Sequence, residues 1–233
     1  MSPQRRDRRR TGAVSDRPPP FPFWLRSLLC LMASACCFVL LVAVAYNIRE
    51  GGDAIWLDGA IARHVQPHVA AHRTQLAKTL TQVGSPNFIV PATFAAALIS
   101  AIVRRSIWTG IVVTATVGLV GIGSTVGKLV ITAAHPKFTE QIQVNLEHTF
   151  PSGHVSSALS LMGIVAIACG AKPRHLIIWL GIAVVTAIVA ATRIYLGFHW
   201  FSDTLGGVFL GCSAVFAGAA MLPGRTRPPP SPP

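Results

Sequence analysis

Apolar residues in this chain fall in long blocks separated by polar, Gly- or Pro-bearing links. The blocks run roughly over Leu28–Tyr46, Phe88–Val103, Ile107–Ala134, Val155–Gly170, Leu176–Ala191 and Phe201–Leu222. A helix needs about 20 apolar residues to cross the hydrocarbon core of a bilayer. The second, fourth and fifth blocks reach that length only with their flanking residues. The pattern predicts an all-α, polytopic membrane protein with six transmembrane helices. The first block has a signal-like Ala43-Val44-Ala45, but it is longer than a signal's apolar core and its basic leader is too long. It is read as a retained span.

Residues 47–86 behave differently. Leu57, Ile61, Val65, Val69, Leu76 and Leu80 recur at helical spacing among polar residues. This predicts one or two amphipathic helices on the outer surface, with a break near Pro67.

Composition and charge add an orientation. The chain is 52% hydrophobic and only 12% charged, where a soluble domain carries about 25% charged residues. Residues 1–23 are Arg- and Pro-rich and read as a disordered cytoplasmic tail. Residues 24–222 form the six-span domain and residues 223–233 a second, Pro-rich cytoplasmic tail. The net charge of +12 is concentrated in Arg5, Arg6, Arg8, Arg9, Arg10, Arg17 and Arg26. A cluster beside a first span is a topology determinant facing anionic lipid, which disfavours a nucleic-acid partner. Arg104 and Arg105, Lys172 and Arg174, and Arg225 and Arg227 extend the same asymmetry. Both termini are therefore expected in the cytoplasm of a plasma-membrane protein. Arg49, Arg63, Arg73 and Lys78 in the first outer loop pull the other way, but long loops count less. The five cysteines, Cys30, Cys36, Cys37, Cys169 and Cys212, lie in apolar runs without metal-type spacing and read as packing residues.

Three clusters hold most of the unusual polar residues. Lys128 and His135-Pro136 end the third block. Pro151-Ser152-Gly153-His154 opens the fourth. Thr192-Arg193, Gly197, His199 and Asp203 join the fifth to the sixth. The charge-derived orientation sends all three to the outer side. A single cation there could merely snorkel to the interface. Two cations, several histidines and a carboxylate on one side read as a site.

The chemistry fits a phosphoryl group. Lys128 and Arg193 can neutralise phosphate oxygens, Arg193 with a bidentate fork. Ser152 and Gly153 precede a helix whose first amides can hold an anion, and Gly153 lets the backbone approach closely. His199 and Asp203 are four apart on one helical face, so the carboxylate can fix the imidazole tautomer and free the other nitrogen to attack. His154 is then available as general acid.

These clusters resemble the three-part signature of the type 2 phosphatidic acid phosphatase superfamily, K-x6-R-P, P-S-G-H and S-R-x5-H-x3-D, over roughly residues 125–205. The resemblance implies a membrane lipid phosphatase. Lys128, Ser152, Gly153 and Arg193 would bind phosphate. His199 would be the nucleophile that becomes phosphohistidine, His154 the general acid and Asp203 the orienting partner. No cofactor or metal is implied. Vanadium haloperoxidases share this site, but they are soluble and lack the six spans. Thr192 replaces the family's Ser and keeps a hydroxyl. His135 replaces the first motif's Arg as a phosphate-binding candidate; it is shorter and mostly neutral near pH 7, so binding is expected to be weaker, favoured by acid, or helped by Lys137 or His148.

The leading substrate expectation is an outer-leaflet polyprenyl diphosphate carrier, with phosphatidate or phosphatidylglycerophosphate second. A lipid-phosphate transferase and a catalytically silent lipid binder are the other readings. The intact His154, His199 and Asp203 weigh against silence. His64, His68 and His72 recur every four residues and could bind zinc on a helix, but no carboxylate or cysteine shares the spacing and Pro67 interrupts it. They are read as a polar interfacial face.

Overall fold

The computed structural model describes residues 22–65, 71–131 and 149–223. Eight helices run along them: α1 (Phe23–Arg49), α2 (Asp53–Val65), α3 (Ala71–Thr81), α4 (Pro86–Arg104), α5 (Ile107–Val130), α6 (Gly153–Ala168), α7 (Leu176–Tyr195) and α8 (Phe201–Met221), with a 3-10 turn at Gln82–Gly84 between α3 and α4. The six apolar blocks become α1 and α4 to α8. The amphipathic segment becomes α2 and α3, while Pro67 and Val69 lie outside the described residues. Trp56, Leu57, Leu76 and Leu80 are exposed on these two short helices, as expected of helices resting at a membrane interface.

Five helical stretches are long and apolar enough to cross a membrane. The exception is α6, whose 16 residues span about 24 Å. That is shorter than the roughly 30 Å hydrocarbon core, so one of its ends is recessed. It packs against α4, α5, α7 and α8, and half of its residues, including Val155, Ser156, Ser160 and Ile164, are buried. The lipid-facing role goes to α1, which leans mainly on α8.

Lipid tails are as apolar as leucine, so helices in a membrane associate through close packing of small residues. That logic holds at the centre of this bundle. A Cβ at Gly110 would lie 3.0 Å from the Ala97 carbonyl, so α4 and α5 touch nearly backbone to backbone. At Gly207 a Cβ would come within 2.7 Å of the Ser152 carbonyl, so α8 presses directly on the segment that starts α6.

Candidate active site

The three clusters meet at one end of the bundle. The backbone joins two of them: Ser152 N–H donates to the Asp203 carbonyl at 2.9 Å. The first is tied in by α5, where the Ser124 hydroxyl donates to the Pro151 carbonyl at 3.2 Å. A Cβ at Gly153 would stand 3.0 Å from Ser124 Oγ, a tight approach, and 4.0 Å from Lys128 Nζ, so the start of α6 sits directly against Ser124 and beside the cation.

Ser152 is the N-cap of α6 and Gly153 its first residue. The first amides of α6 are therefore directed into the space beside Lys128, as an anion site requires. The Ser152 hydroxyl is fully buried and has no hydrogen-bond partner among the described residues. Arg193 ends α7, half-buried. Its guanidinium lies 4.4 Å from the centre of the Phe198 ring, a stacking that braces the group and leaves its N–H edge available. Arg193 Nε likewise has no hydrogen-bond partner among the described residues. Buried polar atoms in native folds are nearly always paired, so two such atoms beside one helix N-terminus fit a bound anion. Thr192 turns its hydroxyl back into α7, donating to the Val189 carbonyl at 2.7 Å.

His199 follows the Gly197 turn (φ 72°) and is 9% exposed. Its Nδ1 faces Asp203 Oδ2 at 3.4 Å, longer than an ordinary N–H···O bond but close enough to select the tautomer with its proton on Nδ1. Asp203 is fully buried and its Oδ2 also accepts from Trp200 N–H at 2.9 Å. Burial holds the His199 imidazole below its ordinary value, against the opposing pull of Asp203, and the Arg193 and Lys128 charges push in the same direction as burial. A neutral imidazole oriented by a carboxylate is suited to nucleophilic attack.

His154 occupies the first turn of α6, within electrostatic reach of Arg193, His199 and Lys128. The 3-10 turn packs against it, where a Cβ at Gly84 would clash with the His154 carbonyl at 2.6 Å. Both Gly84 and His154 line a cleft of about 470 Å³. Lys128, Gly153 and His154 form its polar end, and Ile89, Phe94 and Val117 are among the residues that wall it between α4 and α5.

Seven of the eight expected site residues are thus gathered here. His135, with Lys137 and His148, lies outside the described residues. So does His68 of the histidine stripe, and no group of three His, Cys, Asp or Glu side chains suited to a metal occurs among the described residues. Sequence reading missed Gly84, Ser124 and Asp58. The last accepts from Ser202 N–H at 2.8 Å and from the Ser202 hydroxyl. Nothing in the local sequence marks it.

An all-helical membrane bundle with two cations, two histidines and a buried carboxylate at one end, opening on an apolar cleft, defines a membrane lipid phosphatase. The chain belongs to the PAP2 superfamily, whose family model matches residues 109–227, more than half of its 233 residues. It is 25% identical over 192 residues to phosphatidylglycerophosphatase B of Bacillus subtilis, covering 77% of this chain and 88% of that protein. Its fold also matches the crystal structure of the transmembrane PAP2-type phosphatidylglycerolphosphate phosphatase from Bacillus subtilis, with a TM-score of 0.68 at 21% identity over 80% of this chain and 94% of that one.

Proposed function

We propose that the chain removes a terminal phosphate from a lipid through a phosphohistidine. The His199 nitrogen remote from Asp203 attacks phosphorus, forming the N–P bond as the P–O bond to the leaving group breaks. His154 gives its proton to that leaving oxygen. Water then attacks phosphorus, loses a proton to His154 and releases phosphate as the N–P bond breaks. Lys128, Arg193, the Ser152 hydroxyl and the α6 amides stabilise the charge on the phosphoryl oxygens. The observation carrying this reading is the pair of buried polar atoms, Ser152 Oγ and Arg193 Nε, that have no hydrogen-bond partner among the described residues and belong to the same cluster as Lys128, His154 and His199.

The apolar walls of that cleft supply the lipid part of the reading. The Bacillus subtilis relative is named for phosphatidylglycerophosphate, which makes that the first substrate to try. A polyprenyl diphosphate is the second reading, favoured by the orientation. Arg26, Arg104 and the C-terminus of α8 meet at the end opposite the site, where positive charge marks the cytoplasmic side. The site would then face outward in the plasma membrane, with both termini in the cytoplasm. Phosphate release from detergent-solubilised phosphatidylglycerophosphate, phosphatidate and polyprenyl diphosphate separates these substrates. The expected result is release from at least one lipid and none from His199→Ala protein. Equal release by His199→Ala protein would refute the mechanism.

A further inference from the structure

The residue that starts helix α8, the N-cap Trp200, offers no side-chain oxygen to the open amides of the first turn. Asp203 reaches back to Trp200 N–H, one half of a capping box. A first-turn amide is taken by a residue 144 positions away: Asp58 of α2, which accepts from both the backbone amide and the hydroxyl of Ser202. Asp58 is 3% exposed although α2 is a short amphipathic helix. A buried aspartate needs such partners, and a carboxylate at a helix N-terminus also meets a favourable dipole.

The position of this cap matters because His199 is the residue just before Trp200. The imidazole must stay against Asp203 while facing the phosphate, and both groups lie within one turn of the Ser202 amide. We infer that Asp58 is a positioning residue for phosphoryl transfer: by fixing where α8 begins, it fixes His199 relative to Asp203 and to the anion site. The inference rests on the His199 reading above. Asp58 lies outside the 109–227 stretch matched by the family model, and it acts through Ser202.

The test is single-turnover formation of phosphoenzyme from a lipid phosphate radiolabelled in its terminal phosphate, on full-length protein in detergent. The burst amplitude counts competent sites and the rate constant reports geometry at each one. A misplacement of about 1 Å can cost on the order of a hundredfold. Asp58→Ala should therefore lower the rate constant by roughly tenfold to a hundredfold with KM nearly unchanged. Asp58→Asn, which keeps an acceptor for the Ser202 amide, should recover most of the loss. Ser202→Ala should have a smaller effect, and adding it to Asp58→Ala should change little. A lower amplitude with a wild-type rate constant in Asp58→Ala would reduce Asp58 to a fold-stabilising role and overturn the inference. If Asp58→Ala does not fold, Ser202→Ala carries the test, and an unchanged rate constant there overturns it. His199→Ala separates the two levels. Phosphoenzyme persisting in it refutes the parent reading. Its absence there, beside wild-type rates in the Asp58 variants, refutes this inference alone.

Discussion

The two ends of α8 are both capped by distant residues, and they differ in what lies beside the caps. At the end away from the site the carbonyls of Ala219, Ala220, Met221 and the C-cap Leu222 each receive a donor. Arg26 serves Ala219 and Leu222, the Ser27 hydroxyl serves Ala220, and Trp108 Nε1 serves Met221. At the site end Asp58 takes the Ser202 amide and Asp203 the Trp200 amide, while Ser152 Oγ and Arg193 Nε have no hydrogen-bond partner among the described residues. Both ends place charge where the helix dipole favours it, anions at the N-terminus and a cation at the C-terminus. Among the described residues Arg26 Nε is also without a partner, but it belongs to a side chain whose Nη2 already serves two carbonyls, whereas Ser152 Oγ and Arg193 Nε belong to the cluster that holds Lys128 and the first amides of α6. An end whose carbonyls are satisfied stabilises the fold; an end with open polar atoms beside a cation and a helix N-terminus is where an anionic ligand is expected.

The largest effect should come from the site end. His199→Ala is expected to cut turnover at least roughly ten-thousandfold, as loss of a covalent nucleophile does, measured as phosphate release from a lipid phosphate. Residual turnover near wild type would mean that the filled and unfilled ends do not differ in function. Asp203→Asn should cost somewhat less, about a hundredfold to ten-thousandfold, because the amide favours the wrong tautomer and cannot stabilise the imidazolium. The pH profile carries a second sign. The attacking imidazole must be neutral, so activity is lost as pH falls through the His199 pKa. Burial lowers that pKa, which puts the acid limb below the ordinary value of about 6.5. Asp203 opposes the shift, so residual activity in Asp203→Asn should have its acid limb at still lower pH. A limb moved upward would contradict the assignment.

The far end should respond in stability instead. Arg26→Ala removes a charged donor from two carbonyls and is expected to cost about 1–2 kcal/mol. At roughly 2–4 °C per kcal/mol, a thermal melt in detergent should shift down by several degrees, while the single-turnover rate constant per competent site stays unchanged. A slowed rate constant would show that this end also sets the site. The smallest effect concerns His135, which stands where the family pattern has arginine. His135→Arg should keep or modestly raise turnover and flatten any decline between about pH 6 and pH 8, because guanidinium stays charged where imidazole does not. Reduced activity with unchanged pH dependence would remove His135 from the phosphate.

How much of this was legible in the sequence follows from separation along the chain. Lys128, Ser152, Gly153, His154, Arg193, His199 and Asp203 could be read because each sits at a block boundary and the last three are spaced within a helical turn or a short loop. The six apolar blocks likewise marked six helices. They marked the fourth block as short but did not reveal that α6 is enclosed by its neighbours, because block length cannot distinguish lipid-facing leucines from buried ones. Asp58 was invisible for a different reason. A lone aspartate in an amphipathic stretch reads as a solvated face, and its partner Ser202 is 144 residues distant. The cleft was hidden too, since its walls come from the facing sides of α4, α5 and α6, and only packing decides which sides face.

The central claim is that His199 carries the phosphoryl group, and trapping that group tests it most directly. Rapid acid-free quenching of wild-type protein turning over a lipid phosphate labelled in its terminal phosphate should leave label on the protein. The label should be stable to base, lost in acid, and mapped to the peptide containing His199. His199→Ala protein treated identically should carry none. Label on another residue, or equal labelling of His199→Ala, would contradict the proposed role of His199.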